Sequence, residues 1–228
     1  MIAKNSIFTS VLVVGCVIIL VSFAIRSSFG VFQIPIAEEF NWLRSEFSLA
    51  IALQNLAWGI GQPIFSAIAE KIGDRRAIII GGFTYASGLL LSSAAMTPQA
   101  HQIYEILVGF GVAGTGFGVI LAVVGRASSE KNRSMSLAIA TASGSAGQVI
   151  GAPIGELLLH YMPWQSVFVI FSIAILSTLL LLPFMRVSVA INHRNATQNM
   201  RDFVGKAVVD PSYSMIFLGF FSCGYQLG

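Results

Sequence analysis

Uninterrupted apolar stretches of about 20 residues recur along this chain, and nothing constrains its fold more. A stretch of that length crosses the hydrocarbon core of a bilayer as a helix. Six are complete, at residues 8–36, 46–69, 77–96, 102–125, 134–160 and 163–185, and a seventh begins in 212–228. A polar segment, 186–211, separates the sixth from the seventh. The chain has 228 residues, of which 55% are hydrophobic and 10% charged. Soluble domains carry about a quarter charged residues, so a soluble globule is excluded and an all-α membrane protein is expected. The first stretch follows Lys4 in the manner of a signal peptide, but it is too long and five more follow, so it reads as a retained helix.

Charge sets the expected orientation. With the N-terminus in the cytoplasm, 11 of the 13 Lys and Arg residues fall on the inner side. Only Arg44 lies outside, near Glu38, Glu39 and Glu46, and Arg26 lies within the first span. The positive-inside rule favours this arrangement and accounts for the net charge of +3 without nucleic acid. Trp42, Tyr104, Tyr161 and Trp164 fall at the expected outer boundary, where amphipathic rings settle. The glycosylation sequon at Asn195-Ala196-Thr197 would face the cytoplasm and is discounted. The inner (plasma) membrane of a cell is the expected location.

An internal repeat is legible. Ser48-Leu49-Ala50-Ile51-Ala52 opens the second span and Ser136-Leu137-Ala138-Ile139-Ala140 opens the fifth, while Pro63-Ile64 corresponds to Pro153-Ile154. The repeat spans three helices, an odd number, so its second copy enters the membrane inverted. Counting on from the prolines, Gly73-Asp74-Arg75-Arg76 falls opposite Pro163-Trp164-Gln165-Ser166. The copy whose loop faces outward has lost both arginines.

Arg26 is the sharpest single residue. A permanent cation in mid-span costs roughly 2.5–3.5 kcal/mol on insertion scales, so it is expected to face an aqueous cavity rather than to snorkel outward. Its planar fork suits a carboxylate, and it does not deprotonate. Gln54, Asn55, Tyr85 and Gln148 are further polar candidates for substrate contact, although such side chains also bond neighbouring helices. Glu105 lies near the outer end of the fourth span, where solvation is expected; pairing with Arg26 is the alternative. In the fifth span Gly144, Gly147, Gly151 and Gly155 share one face, suited to close backbone approach. The fourth span has a similar stripe at Gly111, Gly114, Gly118, Ala122 and Gly125.

Several of these segments resemble the major facilitator superfamily. Ser66 to Arg76 is similar to its loop signature Gly-x-x-x-Asp-Arg/Lys-x-Gly-x-Arg/Lys-Arg/Lys, with Ser66 and Glu70 replacing the glycine and aspartate. The resemblance implies a cytoplasmic gate built from Glu70, Lys71, Arg75 and Arg76, turned at Gly73. Gly147 to Gly155, with Pro153, looks like the superfamily's fifth-helix motif and implies packing and gating there. Ile25 to Pro35, Phe47 to Asn55 and Gly144 to Gln148 resemble the bacterial monocarboxylate-transporter-like branch, in which a basic residue at the position of Arg26 engages a carboxylate. Glu105 and Gln165 stand where arginines are usual, which weakens analogies with proton-antiport drug efflux.

The expectation is therefore a six-helix N-terminal transporter bundle over residues 1–185, made of two inverted three-helix repeats. An inter-half loop (186–211) and a truncated start of helix seven (212–228) would follow, with a C-terminal half missing. By the resemblance it would move a small organic anion, a monocarboxylate, by alternating access, with proton symport and anion exchange both open. A drug carrier of the same superfamily and a non-transporting six-helix membrane protein are the alternatives. No cofactor, metal-ligand spacing, phosphate loop or catalytic constellation is expected.

Overall fold

Backbone groups in lipid must find their hydrogen bonds within the chain, and a helix does so with its own residues. The computed structural model describes residues 7–185 and the isolated positions 209–211, 214, 215, 218 and 219. It contains α1 (Ser10–Phe40), α2 (Arg44–Ile72), α3 (Asp74–Ser93), α4 (Pro98–Thr115), α5 (Phe117–Ala127), α6 (Arg133–Tyr161) and α7 (Trp164–Leu179), then a 3-10 turn, Leu182–Phe184. The chain divides into two units, Met1–Ser188 and Val189–Gly228. All but the first three residues of the expected inter-half loop, and the whole of the seventh span, fall in the second unit, mostly outside the described residues.

Short polar residues punctuate the helices. The Thr9 hydroxyl accepts from Leu12 N–H at 3.2 Å, and Thr97 accepts from Ala100 N–H at 3.3 Å, with Pro98 in the first turn of α4. Such caps satisfy amides that the helix cannot. The Glu46 carboxylate reaches back to Leu43 N–H at 3.0 Å. Between α2 and α3 the chain reverses at Gly73, whose φ of 95° favours a residue without a side chain.

The fourth predicted span differs from expectation, because it is two helices. Gly116 is extended (φ −94°, ψ −162°) and separates α4 from α5. Just before it, Thr115 Oγ1 bonds back to Gly111 O at 3.0 Å and lies 2.9 Å from Ser22 Oγ of α1. A hydroxyl that binds the preceding turn helps bend a helix. The third span also shifts toward the N-terminus, to Asp74–Ser93.

Among the described residues four stretches are long and apolar enough to cross a membrane: Ser10–Phe40, Pro98–Ala127, Arg133–Tyr161 and Trp164–Phe184. The other two predicted spans, α2 and α3, carry more polar and small residues and pack alongside these four. Leu56, Phe83, Val149, Ile173 and Leu180 are exposed, an apolar surface that water would not tolerate at this scale.

The tightest seams follow the repeat. An offset of 89 residues carries Leu20 to Gly109 and Ala24 to Ala113, and one of 90 carries Ala57 to Gly147 and Gly61 to Gly151. A Cβ on Gly147 would overlap Leu20 O, and one on Gly151 would overlap Ala24 O, so α6 lies directly on the α1 backbone. In the other copy a Cβ on Gly109 would sit 2.9 Å from Ala57 Cβ, and one on Gly61 would sit 2.7 Å from Ala113 Cβ. The same contact is thus built twice, between α1 and α6 and between α4 and α2: Ala24–Gly151 corresponds to Ala113–Gly61, with glycine on the same partner, and Leu20–Gly147 to Gly109–Ala57, with glycine on the opposite one. A three-residue displacement of register would destroy both.

Candidate functional site

Arg26 emerges on the face of α1 that meets α2. Its Nη2 donates to Asn55 Oδ1 at 2.5 Å, and its guanidinium carbon lies 4.6 Å from the centre of the Trp58 ring. Asn55 and Trp58 are three apart on α2 and so share one face. The side chain is therefore held inside the bundle, partly exposed, and does not reach for the outer boundary. Arg26 Nε is buried and has no partner. Of the five donors on a guanidinium, one serves Asn55, and an edge remains that could take a carboxylate.

The remaining candidates divide. Gln148 is half-buried on α6, beside Gly147 and the α1 seam. Tyr85 is fully buried, and its hydroxyl donates to Ser22 O at 3.1 Å. Gln54 is also buried, and its amide donates to Glu105 Oε2 at 2.8 Å. Tyr85 and Gln54, expected to contact substrate, thus have their polar ends committed to the protein and line no open space in this structure.

Glu105 requires a correction. It is not solvated at the rim but 0% exposed, and it does not pair with Arg26. Its oxygens accept from Gln54 Nε2 and from Ser92 Oγ, the latter at 2.9 Å. Its position near the outer end of the span misled, because α2 and α3 cover it. Trp164, expected at the outer boundary, is enclosed by the protein: it is 3% exposed, and its Nε1 donates to Glu39 at 2.5 Å. Glu39 also accepts from Gln165 Nε2 at 2.9 Å, so one carboxylate at the end of α1 clamps the start of α7. Gln165 was visible as a departure from an expected arginine; its acidic partner was 126 positions away and gave no local signal.

At the other end of the bundle Glu70, Lys71, Arg75 and Arg76 are all exposed. The acid that makes a contact there is Asp74, which accepts from Arg126 Nη2 at 2.5 Å and joins α3 to α5. Asp74 lies in the expected gate loop but was not singled out, and Arg126 was read only as a topology charge. Gly147, Gly151 and Gly155 are buried against α1, whereas Pro153 is exposed. Among the described residues no cluster of three His, Cys, Asp or Glu could hold a metal.

Comparison with known proteins agrees with this architecture. The Major Facilitator Superfamily profile matches residues 14–228. The chain is similar to the MFS-type transporter YcxA of Bacillus subtilis, with 26% identity over 215 residues, covering 89% of this chain and 51% of that protein. It is similar to monocarboxylate transporter 13 of Bos taurus, with 30% identity over 181 residues, 75% of this chain and 38% of that one. It also resembles the human voltage-gated purine nucleotide uniporter SLC17A9, with 26% identity over 152 residues, 63% of this chain and 34% of that one. The chain spans about half, or less, of the length of these relatives.

Proposed function

Since the chain belongs to the major facilitator superfamily and is a multi-pass membrane protein, we propose that it forms the N-terminal half of a secondary transporter for a small organic anion, a monocarboxylate in the first instance. Arg26 carries the proposal: a fixed cation inside the bundle, braced by Asn55 and Trp58, with a buried Nε that has no partner. A buried donor left unsatisfied costs about 1–3 kcal/mol, and a carboxylate bound across that edge of the fork would recover it while neutralising the charge. Similarity to a monocarboxylate transporter supports the substrate class. Similarity to a nucleotide uniporter keeps other organic anions in view.

In this reading α1 and α6, joined along the glycine seam, and α2 and α4, joined along its repeat-related counterpart, move as rigid pairs during alternating access. The second half of the carrier supplies the opposing wall. The loop around Gly73 faces the cytoplasm of a plasma membrane, as the charge distribution favours. The test is uptake into proteoliposomes by the gene's full product. Arg26→Ala should abolish carboxylate uptake, and Arg26→Lys should retain more than alanine does. Unchanged uptake by Arg26→Ala refutes the assignment, and a preference for lipophilic cations over lactate-like acids would favour the drug-carrier alternative.

A further inference from the structure

The acid that sequence reasoning left at the rim is the centre of a second polar site. Glu105 is 0% exposed and His101, one turn earlier on α4, is 1% exposed. The two carboxylate oxygens each accept one hydrogen bond, from Ser92 of α3 and from Gln54 of α2. Neither ring nitrogen of His101 has a hydrogen-bond partner, yet Nε2 lies 3.9 Å from Glu105 Oε1. The imidazole is walled by aromatic rings. It stacks on Phe47 at 5.5 Å, with Trp42 at 6.0 Å and Phe168 at 6.5 Å. One turn past Glu105, Gly109 brings the α2 backbone so close that a Cβ would overlap Gln54 O, which closes the site along its length.

We propose that His101 and Glu105 form a proton-binding pair, sealed between α2, α3 and α4, which exchanges its proton with water only when those helices part. The reason is charge. No lysine or arginine among the described residues pairs with Glu105. The groups that bond or face it are Gln54 from α2, Ser92 from α3 and His101 from its own helix; the other titratable group of α3 in this region, the Tyr85 hydroxyl, is committed to Ser22 O, and Trp42, Phe47 and Phe168 face the imidazole. Arg26 of α1 is engaged with Asn55 and Trp58. A carboxylate beside a neutral imidazole would be a buried net negative charge with two neutral hydrogen-bond donors and no cation, which costs several kcal/mol. One added proton makes the pair neutral and supplies one of the two hydrogen bonds the imidazole lacks. Placed on Oε1, it turns the 3.9 Å approach into an O–H···N hydrogen bond to Nε2 after a shift of about 1 Å. The proton comes from water when the helices open and returns to water on the side then exposed; no other bond changes.

The site is also tied to Arg26. Gln54 and Asn55 are consecutive on α2, the first holding Glu105 and the second holding Arg26. Displacing α2 to open one site therefore disturbs the other. Use of the proton to drive uptake rests on the carrier reading above, whereas the proton site does not, so the experiment reads protons rather than transport.

The experiment is infrared titration of the 228-residue chain in lipid nanodiscs. A protonated-carboxyl stretch should persist at neutral pH, disappear in Glu105→Gln, and change frequency in His101→Phe, which removes the acceptor. In deuterated water the band of the unmodified chain should exchange at least about ten-fold more slowly than those of exposed carboxyls, because exchange requires opening. That measurement needs no variant to fold. Absence of the band at neutral pH, its survival at full strength in Glu105→Gln, or exchange as fast as exposed carboxyls would overturn the proposal. A failure of this kind leaves the role of Arg26 untouched.

Discussion

Alanine at Gly151 and alanine at Gly30 should change stability in opposite directions. Both residues are helical glycines, and in a helix Gly→Ala gains about 0.5–1 kcal/mol from the backbone alone. At Gly30 an added Cβ meets nothing within 4 Å, so that gain should appear undiminished. At Gly151 the same atom would overlap Ala24 O and Ser27 Oγ and sit 2.8 Å from Ala24 C. Two of these three atoms belong to the α1 backbone, which cannot turn aside as a side chain can. Ordinary contact begins at 3.4 Å, so α6 and α1 must separate by roughly 1 Å along their seam, losing dispersion on either side. Overpacking of this kind costs about 1–3 kcal/mol. After subtraction of the propensity gain, Gly151→Ala should be destabilised by about 0–2.5 kcal/mol, with a central value of about 1 kcal/mol. Thermal unfolding followed by circular dichroism in detergent should show a fall of roughly 2–5 °C at that central value, against a rise of about 1–4 °C for Gly30→Ala. If Gly151→Ala raises the melting temperature as much as Gly30→Ala does, the close seam between α1 and α6 is wrong, and with it the rigid pairing that the proposed alternating access requires.

Tryptophan substitutions should separate two kinds of buried indole. Trp164→Phe removes the donor to Glu39 and should cost about 1.5–3 kcal/mol by chemical denaturation, whereas Trp58→Phe loses no hydrogen bond, because Trp58 Nε1 has none; equal losses would contradict the assigned partners. Trp58→Leu should instead weaken anion binding, since it removes the ring beneath Arg26, a contact worth about 0.5–2 kcal/mol; unchanged affinity in isothermal titration would argue against it. A double-mutant cycle on Asp74→Asn and Arg126→Gln should return a coupling of about 0.2–1 kcal/mol that shrinks with added salt, because the side chains are 12% and 51% exposed. A larger, salt-insensitive coupling would mean that the pair is buried in the working protein.

The apolar stretches, the bias of basic residues and the three-span repeat were legible because each depends on local sequence: a helix length, a loop charge, a register. Arg26 was legible for the same reason, since a guanidinium in an apolar run is conspicuous whatever surrounds it. Its neighbours were not. Asn55 and Trp58 brace it from α2, 29 and 32 positions away, and only the crossing of two helices brings them there. The glycine stripe of the fifth span announced a close approach, but not that its partner would be Leu20 and Ala24, nor that Gly109 and Ala57 would repeat the contact in the other copy.

Burial in a bundle is a property of neighbours rather than of position along a span. Glu105 and Trp164 sit near the ends of their segments, where one-dimensional reasoning assigns water or headgroups, yet both are enclosed. Sequence determined that the chain must be helical, because backbone groups in lipid need hydrogen bonds within the chain and the apolar stretches have the length of spanning helices. Tertiary structure alone decided which polar groups face each other, because helix packing sums contacts from residues tens of positions apart, and a single line of residues carries no record of that sum.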